Sequence, residues 1–97
     1  MQFSDSLSAI KGLSEQFVCK RIGAELLLVP LRDNVADFNQ YFSFNELGSF
    51  IYDRIVMGQN FSEILSAILA QYEVTEAQAQ SDLQDFIKNL HHYITNA

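Results

Sequence analysis

Catalysis needs a nucleophile beside a base, a set of metal ligands or a phosphate-binding loop, and this chain of 97 residues holds few groups able to supply any of them. Its one cysteine, Cys19, sits in the β-branched and aromatic run FVCKRI, where the residue types favour a small buried hydrophobe over a reactive thiol. His91 and His92 are adjacent in a helical stretch and point about a third of a turn apart, so they cannot chelate one ion as an i, i+4 pair could. They are expected as half-exposed side chains near the negative end of a helix dipole. Asp82 and Asp85 could be put forward as an acid pair, but carboxylates three apart on a polar helix face make a solvated surface unless something raises one pKa. Gly12, Gly23, Gly48 and Gly58 are scattered and build no phosphate cradle. The expectation is a protein that is not an enzyme, with no metal site and no cofactor.

Composition narrows the class further. At 11.0 kDa the chain is one small domain, 48% hydrophobic and 19% charged, which is enough to build a core. Twelve acidic residues against six Lys and Arg give a net charge of −6 and a sequence pI near 4.6. A surface of that sign repels nucleic acid and anionic membrane alike. A single cysteine excludes an internal disulfide. No apolar run is long enough to span a bilayer, and Met1 to Asp5 lacks the order of a signal peptide. A soluble, cytoplasmic protein is expected.

The elements that must position any site follow from periodicity. Residues 1–16 read as an N-terminal arm, either mobile or a short helix; Leu7, Ile10 and Leu13 suit helical turns while Gly12 and the serines weaken them. Residues 17–97 form the domain proper. Phe17 to Ile22 and Glu25 to Val29 are predicted strands joined by a Gly23-Ala24 turn, the second stopped by Pro30, and Arg32, Asp33 and Asn34 begin a connection. Asn39 to Phe44 is a third strand, with Phe42 and Phe44 on one face and Tyr41 and Ser43 on the other.

Helical signals follow. Ser43 with Glu46, Asn60 with Glu63 and Thr75 with Gln78 have capping-box spacing; Phe42 and Leu47 could staple the first helix, Asn45 competes with Ser43 as its cap, and Gly58 ends it. Three apolar stripes result: Leu47, Phe50, Ile51 and Ile55; Ile64, Leu65, Ile68, Leu69 and Tyr72; then Ala79, Leu83, Phe86, Ile87 and Leu90, running on to Tyr93 and Ile94. The order predicts an α+β fold, winged helix-turn-helix-like, with a three-stranded antiparallel sheet followed by three helices. DNA binding does not follow from it. Between Phe61 and Ala97 the only strongly basic residue is Lys88, against Glu63, Glu73, Glu76, Asp82 and Asp85.

The stretch ELLLVPLRDNVADFNQYFSFNELGSFIY, Glu25 to Tyr52, resembles the PqqD-like family, named for a small protein of pyrroloquinoline quinone biosynthesis. The resemblance rests on Val29-Pro30, Asp37-Phe38-Asn39, Phe44-Asn45-Glu46-Leu47-Gly48 and Ile51-Tyr52, then on Tyr72-Glu73-Val74 and the long last helix, and covers roughly Phe17 to Leu90. Phe44 stands where Leu is usual, Tyr52 where Trp is usual and Gln40 where Gly is common, the last bearing on how a partner strand seats. The resemblance implies a recognition element for ribosomally made precursor peptides that enzymes, often radical SAM enzymes, later modify. The precursor's leader would add to the third strand and lie against the third helix.

The residues allow that mode, since an unpaired strand edge is a template for another chain. Asn39, Gln40, Tyr41, Phe42, Ser43 and Phe44 would supply the edge. Gln78, Asp82, Asp85 and Asn89 fall on one flank of the third helix, with Phe86 at the boundary. A groove there would have an apolar floor and an acidic wall, suited to hydrophobic leader residues with a Lys, Arg or amide donor nearby. Asp82 and Asp85 could equally serve only to keep the helix soluble, and the edge could be covered by the 1–16 arm. Two other functions stay open: an interaction module whose exposed edge pairs with itself as a homodimer, and an acidic winged-helix regulator acting through protein contacts.

Overall fold

A computed structural model describes residues 3–23, 25–33 and 35–96. Met1 and Gln2 of the expected arm, Ala24 of the expected turn, Asn34 of the connection and Ala97 lie outside the described residues.

Helix α1 spans Phe3–Leu13. Leu7 and Ile10 are buried, and the helix packs chiefly on the last helix and also on the two that precede it. That burial outweighs the penalty of about 1 kcal/mol for an exposed helical glycine such as Gly12. Phe3 stacks on Phe61 with ring centroids 5.1 Å apart. A single 3-10 turn, Ser14–Gln16, leads into the sheet. The arm therefore lies among the helices and does not form a ladder with any strand among the described residues.

Strand β1, Phe17–Ile22, pairs antiparallel with β2, Glu25–Arg32, from Phe17↔Pro30 to Ile22↔Glu25. The tight turn sets Gly23 at φ +62°, a conformation that glycine adopts freely. The expectation that Pro30 ends this strand is corrected: β2 runs two residues further. The Pro30 carbonyl accepts from the Asp37 N–H at 2.9 Å, on the side of β2 away from β1. The donor that proline lacks would point the same way, so no β1–β2 bond is lost. On that far side β2 has two successive partners. Strand β4, Phe42–Phe44, pairs with Leu26 to Leu28, and the two-residue β3, Val35–Ala36, pairs with Leu31 and Arg32. Strand β3 is too short to show a sequence period. The third strand expected from Asn39 begins only at Phe42, because Asp37 binds the Asn39 N–H with its side chain at 3.1 Å and the Gln40 N–H with its carbonyl at 3.3 Å, folding Phe38 to Gln40 into a turn.

Helices α2 (Glu46–Val56), α3 (Phe61–Gln71) and α4 (Glu76–Asn96) follow. Asn45, not Ser43, caps α2, its side chain accepting the Gly48 N–H at 2.8 Å. Ser43 is engaged in β4 and cannot turn into a helix start. Gly58, at φ +89°, closes α2: its N–H reaches the Ile55 carbonyl while Gln59 N–H reaches Arg54, the paired bonds of a Schellman end. The Asn60–Glu63 capping box forms in both directions, and the Thr75 hydroxyl accepts the Gln78 N–H. The stripes Ile51 and Ile55, Ile64 and Ile68, and Leu83, Ile87 and Leu90 meet Leu26, Leu28 and Phe44 from the sheet in one core. The result is an α+β, winged-helix-like fold whose helices cover one face of an antiparallel sheet.

Candidate functional site

Strand β4 pairs with β2 and with no other described strand, so its outer edge is free. Backbone geometry shows what that edge offers. Since Pro30 faces away from β1, alternation along β2 turns Leu28 and Leu26 toward β4, and their partners Phe42 and Phe44 point inward. The N–H and C=O of Ser43 then point outward, with Tyr41 next in phase.

Beside this edge lies a cleft of about 430 Å³, lined by Phe42, Ser43 and Phe44 of β4, by Asn45, Leu47, Gly48 and Ile51 of the start of α2, and by Asp82, Asp85 and Phe86 of α4. Its floor is aromatic. Phe44 touches Phe86 at 5.4 Å between centroids and Phe42 at 5.2 Å, and Phe42 reaches Tyr93 at 5.1 Å. The close approach of α2 depends on Gly48: a Cβ there would lie 3.0 Å from Phe86 Cε1 and 3.2 Å from Phe44 Cβ. Its wall is acidic. Asp82 is half-buried, with Oδ1 held by Gln78 Nε2 at 2.7 Å, and Asp85 is exposed.

The structure thus brings six of the eleven sequence-named residues to one cleft: Phe42, Ser43, Phe44, Asp82, Asp85 and Phe86. Gln78 lies outside it and holds Asp82 in place. Asn39, Gln40 and Tyr41 precede the strand and Asn89 lies a turn beyond Asp85, all four outside the cleft lining. Gln40 has a different partner, its carbonyl accepting from the Tyr93 hydroxyl, which also reaches the Leu28 carbonyl at 3.3 Å. Partial burial, with Asp37 nearby, pushes the Tyr93 phenol above its ordinary value, against the opposing effect of Arg32. Asn45, Leu47, Gly48 and Ile51, which also line the cleft, were not among the sequence candidates. Leu47 and Ile51 fit the helical core stripe and carry no polar signal of a site.

The groups weighed for chemistry lie elsewhere. Cys19 is exposed, correcting the expected burial, because it lies on an edge strand only partly covered by α2. Its sulfur meets the Tyr52 hydroxyl, and desolvation there pushes the thiol pKa up, away from reactivity. Burial pushes the Tyr52 phenol up strongly as well. Among the described residues no three His, Cys, Asp or Glu side chains are grouped to hold a metal ion, and no helix is long and apolar enough to cross a membrane.

A vacant β-edge beside an apolar cleft defines a domain able to take up an extended peptide as an added strand. The family described as coenzyme PQQ synthesis protein D (PqqD) matches residues 25–93, and the chain belongs to that family. Among solved structures it is similar to "TbiB1 in Complex with the TbiA(beta) Leader Peptide", with a TM-score of 0.67 and 30% sequence identity, over 81% of this chain and 86% of that one. No curated protein matched the chain.

Proposed function

We propose that the chain is a noncatalytic adaptor of ribosomal-peptide modification. It binds the leader of a precursor peptide as a strand on the outer edge of β4 and presents it to a modifying enzyme, of the radical SAM class or another. The cytoplasm, where ribosomal precursors are made, is the compartment this role requires. The observation that carries the reading is the unpaired edge at Ser43 beside the cleft between β4 and α4. Family membership and the similarity to a protein solved with a leader peptide support it.

The chemistry divides between backbone and side chains. Backbone bonds to the edge supply affinity with little sequence demand, at about 0.5–1.5 kcal/mol each. Selectivity then comes from the cleft. Phe44, Leu47, Ile51 and Phe86 accept an apolar leader side chain, and Asp82 with Asp85 favours a Lys, Arg or amide donor beside it.

The test uses leader peptides from the short open reading frames neighbouring this gene. Amide shifts on titration should centre on Phe42 to Phe44 and on α4 near Asp82 to Phe86. Ser43→Pro removes an outward N–H that forms no bond within the sheet, so the fold should persist while affinity falls about tenfold. Leader binding that is indifferent to Ser43→Pro, or shifts clustered away from β4, would refute strand addition.

A further inference from the structure

The β2–β4 register, continued two residues past Leu28↔Phe42, sets Pro30 opposite Gln40. In that phase the two residues of an antiparallel pair exchange both backbone bonds. Pro30 cannot: it has no N–H to give, and its carbonyl already accepts the Asp37 N–H at 2.9 Å. Both backbone groups of Gln40 therefore bond elsewhere. Its N–H reaches the Asp37 carbonyl at 3.3 Å, and its carbonyl accepts from the Tyr93 hydroxyl of α4. That hydroxyl lies in the seam between the two strands, since it also comes within 3.3 Å of the Leu28 carbonyl. It stands in for the donor that Pro30 lacks.

The bond has a consequence on the other side of the same peptide unit. In a planar, trans peptide the Gln40 carbonyl and the Tyr41 N–H point in opposite directions. With the carbonyl held in the seam, the Tyr41 N–H is aimed outward, where it has no partner among the described residues. It lies two residues before the outward N–H of Ser43, the interval at which an added strand makes its successive bonds. Without the hydroxyl, the Gln40 carbonyl would have no donor in the seam and would turn toward water, carrying the Tyr41 N–H away from the edge. The ring itself is fixed independently of this bond, packed on Phe42 and Phe17 with centroids 5.1 and 5.7 Å away.

We propose that Tyr93 is a positioning residue for peptide capture: its hydroxyl aims the Tyr41 N–H, so that an added strand is seated at Tyr41 as well as at Ser43. The inference rests on strand addition at β4 and gives a role in it to a residue outside the cleft lining.

Residue-resolved amide exchange and calorimetric titration of the full chain, with a leader peptide from a neighbouring short open reading frame, test the proposal. In the unaltered protein the Tyr41 and Ser43 amides should both gain protection when the leader binds. Tyr93→Phe keeps the ring contacts and removes only the hydroxyl. There the Ser43 amide should keep its gain, the Tyr41 amide should lose it, and affinity should fall about three- to tenfold. Tyr41→Pro removes the same N–H without touching Tyr93, and Tyr93→Phe added in that background should weaken binding no further. Protection at Ser43 alone in the unaltered protein overturns the inference and leaves strand addition standing. Tyr41 protection unchanged by Tyr93→Phe, or additive losses in the double variant, do the same. No protection at Ser43 in the unaltered protein refutes strand addition itself, and the inference with it.

Discussion

Gly48 shows how one missing methyl group shapes the site. At 3.0 Å from a Cβ placed there, the Phe86 ring would have to shift, and the Phe44 backbone-anchored Cβ at 3.2 Å has little freedom to give way. Gly48→Ala should therefore narrow the cleft and weaken leader binding about tenfold, while its better helix propensity, worth about 1 kcal/mol, limits the loss of stability. Calorimetric titration beside thermal melts checks both halves. Asp82→Asn with Asp85→Asn should leave the fold intact, weaken binding of a leader carrying Lys or Arg, and flatten the salt dependence of its affinity; unchanged salt dependence would reduce the acidic wall to a solubilising surface. Tyr52 gives a pH prediction. Its folded phenol is raised above the ordinary tyrosine value, so its contribution to stability is complete below that value, about 10, and is lost as pH climbs toward the folded value. Alkaline unfolding should track tyrosinate absorbance, and Tyr52→Phe should shift the transition to higher pH.

Among the elements, legibility followed the strength of the local pattern. The β1–β2 hairpin, the Asn60 box and the stripe of α4 were readable because period, turn and cap agree there. The wheel that put Gln78, Asp82, Asp85 and Asn89 on one flank of α4, with Phe86 at its boundary, matches the cleft at Asp82, Asp85 and Phe86, since helical phase is fixed by the buried Leu83, Ile87 and Leu90. Misreadings arose where a tertiary partner decided. Pro30 stays in its strand because its missing donor faces away from β1, Asn45 displaces Ser43 because β4 holds Ser43, and Cys19 is exposed because β1 is an edge. Nor could sequence show which β2 neighbour would leave its outer edge free. Helix α4 packs on α1 and α3 and meets Phe44 of β4 through Phe86: Leu83→Ala, at a fully buried position, should destabilise by about 2–5 kcal/mol in urea unfolding.

At the scale of the molecule, the segment Phe17 to Phe44 that holds the sheet is neutral, and the net charge of −6 rests on the helices and their links. Added salt should thus loosen contacts made through Asp82 and Asp85. The Asp37 turn finally acts as a ruler. By folding Phe38 to Gln40 out of line between β3 and β4, it keeps the two from fusing into one long strand, and β4 stays three residues long. A guest can be gripped over only that short stretch, so the remainder of a long precursor trails free of this protein, within reach of whatever enzyme acts upon it.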